Sequence, residues 1–238
     1  MSKWNGKKLL SIAAALSLGV LGAAKVQAGY TTVNAPWKGE DSQSDILSHA
    51  YGGSFVQNGL NFSNGSVSAI RQDDSANAVF HFDIASITTI STFSGWSQGL
   101  AYGDVNAPTQ LFNVTGKGYS AVGGTGPIDM PSTYSLVRTG TGGNWSSDAT
   151  QNADGADHLI TYLLTGTGTK APTYVLFWED GSKGHGDFDF NDLAVQVTAA
   201  GCRDMATVPL PAAAWSGLAT LAGGVAVAGY KKARRQMA

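Results

Sequence analysis

The feature that most limits what this chain can fold into is an uncharged apolar segment near its C terminus, residues 212–230. A helix of this length spans about 28 Å, close to the roughly 30 Å hydrocarbon core of a bilayer. Four basic residues follow directly, namely Lys231, Lys232, Arg234 and Arg235. Because basic residues stay on the cytoplasmic side, the pattern predicts a single transmembrane helix, a stop-transfer tail (residues 231–238) and a folded domain outside the cytoplasm.

The N terminus, residues 1–28, has the pattern of a secretory signal peptide. Lysines precede an apolar stretch that is short for a membrane span, and small residues ending at Ala28 place the cleavage before Gly29. A retained anchor helix is the alternative. Cleavage implies export by the general secretion machinery and processing by signal peptidase.

The segment between the two ends, residues 29–207, is strongly acidic. The chain has 15 basic and 17 acidic residues, and all the acidic ones lie in this segment, whereas eight basic residues lie outside it. Its net charge is therefore about −10, which repels nucleic acid and attracts cations. We expect no nucleic-acid partner.

The composition of residues 29–207 favours an all-β fold. Gly, Ser, Thr, Asn and Asp are abundant, no long stretch has amphipathic helical spacing, and the single cysteine, Cys202, allows no disulfide within the chain. Short strands between turn residues are typical of a β-sandwich, here predicted to be jelly-roll-like. We predict loops with one or two short strands up to residue 64. Further strands are predicted at 66–70, 78–84, 87–93, 111–115, 134–138, 158–165, 173–178 and 193–198, with a glycine-rich loop at 139–157.

A short motif stands at the start of the apolar segment: Val208, Pro209, Leu210, Pro211 and Ala212. Its prolines hold the chain extended and lack amide hydrogens, which presents the backbone to a membrane-embedded protease. Motif, apolar helix and basic end in this order resemble the VPLPA-CTERM variant of the PEP-CTERM sorting signals. The resemblance implies an exosortase partner in a Gram-negative bacterium, an inner-membrane precursor, and a mature protein at the cell surface or in a biofilm matrix associated with exopolysaccharide. A plain C-terminal anchor is the alternative.

Residues 179–192, which we call the acidic segment, connect two predicted strands. Its six carboxylate and carboxamide side chains are Glu179, Asp180, Asp187, Asp189, Asn191 and Asp192. If residues 187–191 are extended, alternate positions put the oxygen ligands on one face and Phe188 and Phe190 toward the core. Crowded carboxylates repel one another unless a cation neutralises them, and hard oxygen ligands suit Ca²⁺. The alternative is that they cap turns through hydrogen bonds to backbone amides.

Two other kinds of metal site are disfavoured. The D-x-D-x-N order is similar to the start of an EF-hand loop, but the glycine and glutamate that complete such a loop are missing. His185 is the only nitrogen ligand nearby, which disfavours zinc.

A second resemblance covers residues 157–197. This stretch is similar to the C-terminal half of an uncharacterised bacterial domain, common in PEP-CTERM proteins, that ends in D-x-D-F/Y-N-D-L/V. The resemblance implies a β-rich domain and brings no catalytic residue with it.

The sequence leaves three classes of function. A glycoside-active enzyme is disfavoured, because the acids come from one local connection and no nucleophile-elbow, HExxH or phosphate-loop motif is present. A Ca²⁺-dependent carbohydrate-binding module is the alternative, favoured if Trp37, Trp96 and Trp145 are exposed. The leading hypothesis is a non-enzymatic, calcium-stabilised surface or matrix protein.

Overall fold

The computed structural model describes residues 29–74, 78–120 and 123–200. Several predicted features lie outside these residues: the signal peptide up to Ala28, Cys202, the motif at 208–212, the apolar segment at 212–230 and the basic tail at 231–238. Among the described residues, no helix has the length and apolar character needed to cross a membrane.

The described chain is mostly β-structure with one α-helix, α1, Gln43–Tyr51. The strands are β1 Val56–Asn58, β2 Asn61–Ser63, β3 Ser68–Arg71, β4 Ile84–Thr92, β5 Gln98–Tyr102, β6 Thr109–Val114, β7 Gly118–Tyr119, β8 Gly123–Ile128, β9 Leu136–Gly140, β10 Trp145–Ser146, β11 Leu159–Thr165, β12 Thr173–Trp178 and β13 Leu193–Ala199. A short 3₁₀-helix, Ala149–Gln151, lies inside the predicted glycine-rich loop.

Hydrogen bonds order these strands into two antiparallel sheets. The larger has nine strands in the order β1-β2-β3-β11-β12-β13-β4-β7, and β8 also pairs with β4. The smaller has the order β10-β9-β5-β6. In the middle of the larger sheet, β12 pairs along its whole length with both β11 and β13. The prediction of an all-β class is confirmed at this level.

Alternation along β12 divides its side chains between two apolar clusters. Leu176 and Trp178 belong to the first apolar cluster, and Val175 and Phe177 to the second. The smaller sheet contributes Leu100, Val114 and Leu136 to the first cluster, and α1 contributes Ile46 and Leu47 to the second. The central strands are thus covered on both faces, which explains why their sequences are almost continuously apolar.

The strand predicted at residues 78–84 is wrong. Phe80 forms only an isolated bridge with Tyr134, and β4 starts where the predicted strand ends. The rings of Phe80 and Phe82 pack against other aromatic side chains, although their backbones do not form a strand. Phe82, for example, stacks on Tyr174 with ring centroids 5.4 Å apart. The alternating apolar pattern in this stretch therefore reflects the packing of aromatic rings and not hydrogen bonding between strands.

Helix α1 is an element that the sequence did not predict. Its N-cap, Ser42, accepts a hydrogen bond from the Asp45 amide in a capping box, and this cap satisfies amides that a helix start leaves unpaired. Few of its residues are apolar, so its hydrophobic periodicity is weak. The residues before it, 29–41, are called the N-terminal segment below.

Candidate metal centre

The acidic segment is anchored at both ends by the central strands. Trp178 of β12 pairs with Leu193 of β13, so Glu179 and Asp192 extend directly from a hydrogen-bonded ladder. Two further hydrogen bonds hold these ends: the Asp180 amide donates to Asp192 Oδ2 at 2.8 Å, and the Glu179 amide donates to the carbonyl of His158, the residue before β11. The sheet therefore fixes the position of two of the predicted ligands.

Four carboxylates of the segment converge, and we call them the acidic cluster: Glu179, Asp187, Asp189 and Asp192. One oxygen of each lies within 4.8 Å of one oxygen of every other. Asp187 is half-buried, and the other three are buried, with Glu179 only 1% exposed. This buried acidic cluster could bind a metal ion.

Two glycines allow the loop of the acidic segment to close against the cluster. A Cβ on Gly181 would lie 2.3 Å from the Cα of Gly186, and a Cβ on Gly186 would lie 2.6 Å from Glu179 Oε1. Both distances are shorter than side-chain carbons tolerate, so the two backbones meet only because both residues lack a side chain. This close approach brings Asp187 next to Glu179.

The backbone of residues 187–191 is not extended, contrary to the assumption made from the sequence. Phe188 and Phe190 have φ values of 56° and 57°, in the left-handed region that side chains with a Cβ rarely adopt. Both rings nevertheless face the second apolar cluster, as predicted. The two rings therefore pack against the core while the backbone between residues 187 and 191 turns, and this turn brings the carboxylates of Asp187 and Asp189 close together.

Some carboxylate oxygens of the acidic cluster already accept hydrogen bonds from backbone amides. Asp189 Oδ1 accepts from the Asn191 amide at 3.1 Å, and Glu179 Oε1 accepts from the Gly181 amide at 2.9 Å. The turn-capping alternative therefore accounts for one oxygen of each of these side chains. It does not account for Glu179 Oε2, which is buried and has no hydrogen-bond partner among the described residues.

Burial and mutual repulsion oppose ionisation in the acidic cluster. Burial raises the pKa of Asp189 to about 7, with Asp187 as the next cause. Burial also raises the pKa values of Glu179 and Asp192, and nearby carboxylates add to both shifts. Asp187 shifts in the same direction. A bound cation is the arrangement that lets these groups ionise together.

Two of the six predicted ligands have other partners. The Asp180 carboxylate accepts hydrogen bonds from Ser94 and Gln98 and lies 3.4 Å from the buried guanidinium of Arg138. The Asn191 side chain donates from Nδ2 to the Asp41 carbonyl at 3.1 Å. Its Oδ1 is buried and unpartnered among the described residues, so a neutral oxygen is available there.

The N-terminal segment lies across the acidic segment, which the sequence did not predict. The Asn34 amide donates to the Phe188 carbonyl at 2.9 Å, and the Trp37 amide donates to Asp189 Oδ2 at 3.2 Å. The carboxylate of Glu40 is near enough to raise the pKa values of Asp187 and Asp189. These contacts join residues about 150 positions apart along the chain, and no local pattern signals them.

The three tryptophans have different environments. Trp37 is 68% exposed and Trp96 is 49% exposed. Trp145 is buried, stacks on His158 with ring centroids 4.0 Å apart, and donates from Nε1 to the Asp180 carbonyl. Exposed aromatic faces are therefore present at Trp37 and Trp96, while Trp145 is a packing residue.

Comparisons of the chain with protein-family models, curated proteins and solved structures gave no match.

Proposed function

We propose that the protein is a non-enzymatic, exported surface or matrix protein whose domain is stabilised by Ca²⁺ bound at the acidic cluster. Two observations carry the metal proposal: four carboxylates converge, three of them buried, and Glu179 Oε2 is buried without a hydrogen-bond partner among the described residues. An unpaired buried carboxylate oxygen is costly, and a cation removes that cost.

The ligand set suits Ca²⁺ better than softer metals. Calcium–oxygen distances of about 2.4 Å place opposite ligands about 4.8 Å apart, and the carboxylate oxygens of the acidic cluster all lie within 4.8 Å of one another, close enough to share one such ion. All four ligands are carboxylates, and zinc favours nitrogen and sulfur. Asn191 Oδ1 is proposed as a further, neutral ligand.

The glycine contact gives a test of Glu179 as a ligand. Gly186→Ala should weaken Ca²⁺ affinity by about tenfold, about 1.4 kcal/mol, because the added methyl would lie 2.6 Å from Glu179 Oε1 and displace the carboxylate. Isothermal titration with CaCl₂ measures the effect. Gly95→Ala is the control, since a Cβ there meets open space. Equal affinities of both variants and the natural protein would remove Glu179 from the ligand set.

For the location of the protein, the proposal follows the sequence motif. The precursor would be held in the inner membrane by residues 212–230, cleaved by an exosortase near residues 208–212, and released to the cell surface or the extracellular matrix. The acidic domain would contact exopolysaccharide there through divalent cations. Within this proposal the two sheets form a jelly-roll-like sandwich.

Sorting is tested by removing the prolines of the motif. In a Gram-negative host with a VPLPA-type exosortase, Pro209→Ala with Pro211→Ala should leave the tail uncleaved and the protein in the inner-membrane fraction. Fractionation and intact-mass spectrometry read the outcome. Pro127→Ala with Pro131→Ala, at two exposed positions, should be processed normally. An uncut tail on the natural protein would favour the plain anchor.

A Ca²⁺-dependent carbohydrate-binding module is the second candidate, supported by the exposure of Trp37 and Trp96. The Trp37 amide bonds to a residue of the acidic cluster, and Trp96 packs over Gly142 close to the Asp180 carbonyl. Both exposed tryptophans therefore lie next to residues of the acidic segment, where a sugar stacked on either ring would be near the proposed ion.

A further inference from the structure

The middle of the N-terminal segment, residues 32–40, runs between two anchored ends, and we call it the strap. Before the strap, the Thr31 hydroxyl donates to Asp157 Oδ2 at 3.1 Å, and after it the Asp41 carbonyl accepts from Asn191 Nδ2 at 3.1 Å. Most strap residues are exposed, and none belongs to the first or the second apolar cluster. Apolar packing therefore contributes little to holding the strap in place.

A cavity of about 510 Å³ lies along the strap. It is lined by residues 32–36 of the strap, by Ser42 and Gln43 at the start of α1, and by Leu60 and Phe62 of the β1–β2 hairpin. On this side the strap borders open space and not a packed core. Exposed segments with few apolar contacts open locally at a low cost in free energy.

Three hydrogen bonds attach the strap to the acidic segment. The Asn34 amide donates to the Phe188 carbonyl at 2.9 Å, and the Asn34 side chain donates from Nδ2 to the Asp187 carbonyl. The Trp37 amide donates to Asp189 Oδ2 at 3.2 Å. The strap is therefore held by consecutive residues of the acidic segment, two of which are proposed calcium ligands.

The strap has one more polar contact with the rest of the described chain, an ion pair between Glu40 and Lys117 at 2.8 Å. The lysine is exposed, and such ion pairs contribute little to stability. The Glu40 carboxylate is also near enough to Asp187 and Asp189 to raise their pKa values. Its charge opposes attachment of the strap, and a cation bound at the acidic cluster lowers this repulsion.

The acceptors of the three hydrogen bonds lie where the acidic segment depends most on a cation. Asp187 and Asp189 repel each other when both are ionised without a metal. The φ value of 56° at Phe188, between them, is a strained conformation that persists only when its surroundings enforce it. Repulsion and strain therefore both favour movement of these acceptors when no cation holds the carboxylates together.

We infer that Ca²⁺ bound at the acidic cluster holds the strap in place, and that removal of the ion releases residues 32–40. The ion keeps Asp187 and Asp189 in the positions at which they accept hydrogen bonds from the strap. A ligand shifts a conformational equilibrium only through interactions that differ between the two states, and these hydrogen bonds are that difference. The inference rests on the proposed calcium site and adds a function to it, because release of the strap opens the cavity along it.

Limited proteolysis of the full chain in detergent tests the release. Trypsin cuts after lysine and arginine, and Lys38 is exposed in the strap. Lys170, exposed in the connection between β11 and β12, is the internal control. Dividing the rate at Lys38 by the rate at Lys170 cancels any effect of calcium on the protease. Peptide mass spectrometry gives both rates at pH 8, and we expect the ratio to be about tenfold lower in excess CaCl₂ than in chelator, since proteolysis follows the population of the open segment.

A ratio that is equal in calcium and in chelator, or higher in calcium, overturns the inference. Titration calorimetry on the same samples separates this result from failure of the metal proposal: calcium binding with an unchanged ratio removes only the strap, and absence of binding removes both. Arg138 is 0% exposed, so cutting there reports opening of the whole domain. Equal acceleration at Lys38 and Arg138 in chelator contradicts a separate release of the strap.

Three variants assign the effect to the proposed contacts. Glu179→Gln removes a ligand and should be cut at Lys38 equally fast with and without calcium. Asn34→Ala removes the side-chain hydrogen bond to Asp187 and should be cut at Lys38 about fivefold faster in calcium than the natural protein. Thr32→Ala, at another exposed strap position, is its control and should be cut at the natural rate. Calcium protection of Lys38 in Glu179→Gln, or equal rates in the two strap variants, contradicts the inference.

Discussion

Excess Ca²⁺ should raise the melting temperature of the full chain by about 5 to 10 °C over the same protein in chelator. An ion bound only by the folded state at a hundredfold excess over Kd stabilises it by about 2.7 kcal/mol, and a domain of this size shifts by about 2 to 4 °C per kcal/mol. Differential scanning calorimetry measures both states. Mg²⁺ at the same concentration should give a smaller shift, because it demands a tighter octahedral shell.

Glu179→Gln distinguishes a metal ligand from a turn cap. Its Oε1 can still accept from Gly181, and the new amide nitrogen replaces an oxygen that has no partner among the described residues. The variant should therefore lose the calcium shift and melt higher than the natural protein in chelator, because folding no longer has to protonate a carboxylate or bury its charge at this position. One substitution is therefore expected to have two separate effects: no rise of the melting temperature in calcium, and a higher melting temperature in chelator.

The matched control is Asp129→Asn, which removes the same charge from an exposed position outside the acidic cluster. It should keep the calcium shift and change the melting temperature in chelator by little. If the natural protein shows no calcium shift, the acids serve as turn caps and the metal proposal fails. If Glu179→Gln keeps the full shift, the ion lies elsewhere.

The central sheet could be predicted from the sequence because its strands are buried on both faces. Continuous apolar runs bounded by turn residues mark β11, β12 and β13, and the bounds of β12 agree with the prediction at both ends. Helix α1 was missed because it packs through little more than Ile46 and Leu47, which is too few apolar positions for a helical period. Strand β5, Gln98–Tyr102, was also missed, since its glycine and alanine carry little strand propensity.

The candidate site was predicted in composition but not in geometry. Local spacing identified Asp187 and Asp189, because carboxylates next to a strand end are visible in sequence. Local spacing could not show that Asp180 has a different role from the other acidic residues. Its hydrogen bond with Gln98 and its ion pair with Arg138 both involve residues on strands of the other sheet. The left-handed conformations of Phe188 and Phe190 also depend on packing far away in the chain.

In chelator, the protein should become less stable as the pH rises from 5 to 8. A carboxyl whose pKa is raised by folding keeps its proton longer in the folded state, so the unfolded state loses protons first. Stability is therefore full below the ordinary carboxyl pKa of about 4 and is lost as the pH rises through the folded value, about 7 for Asp189. The raised pKa values of Glu179 and Asp192 act with the same sign.

Calcium should change this pH profile, because the ion binds the ionised carboxylates and competes with their protons. Melting temperatures measured in calcium and in chelator should therefore lie close together at pH 5 and separate as the pH rises. Two other groups act mainly in the lower part of this range: Asp157, with a pKa raised to about 6, and His158, whose pKa is lowered by burial. The interval from pH 6.5 to 8 thus isolates the acidic cluster. Asp189→Asn should make the fall of the melting temperature in chelator less steep over this interval, whereas Asp129→Asn should not. A chelator profile that is flat or rising over this interval would show that the four carboxylates ionise freely without a metal, and would contradict the argument that their mutual repulsion calls for a cation.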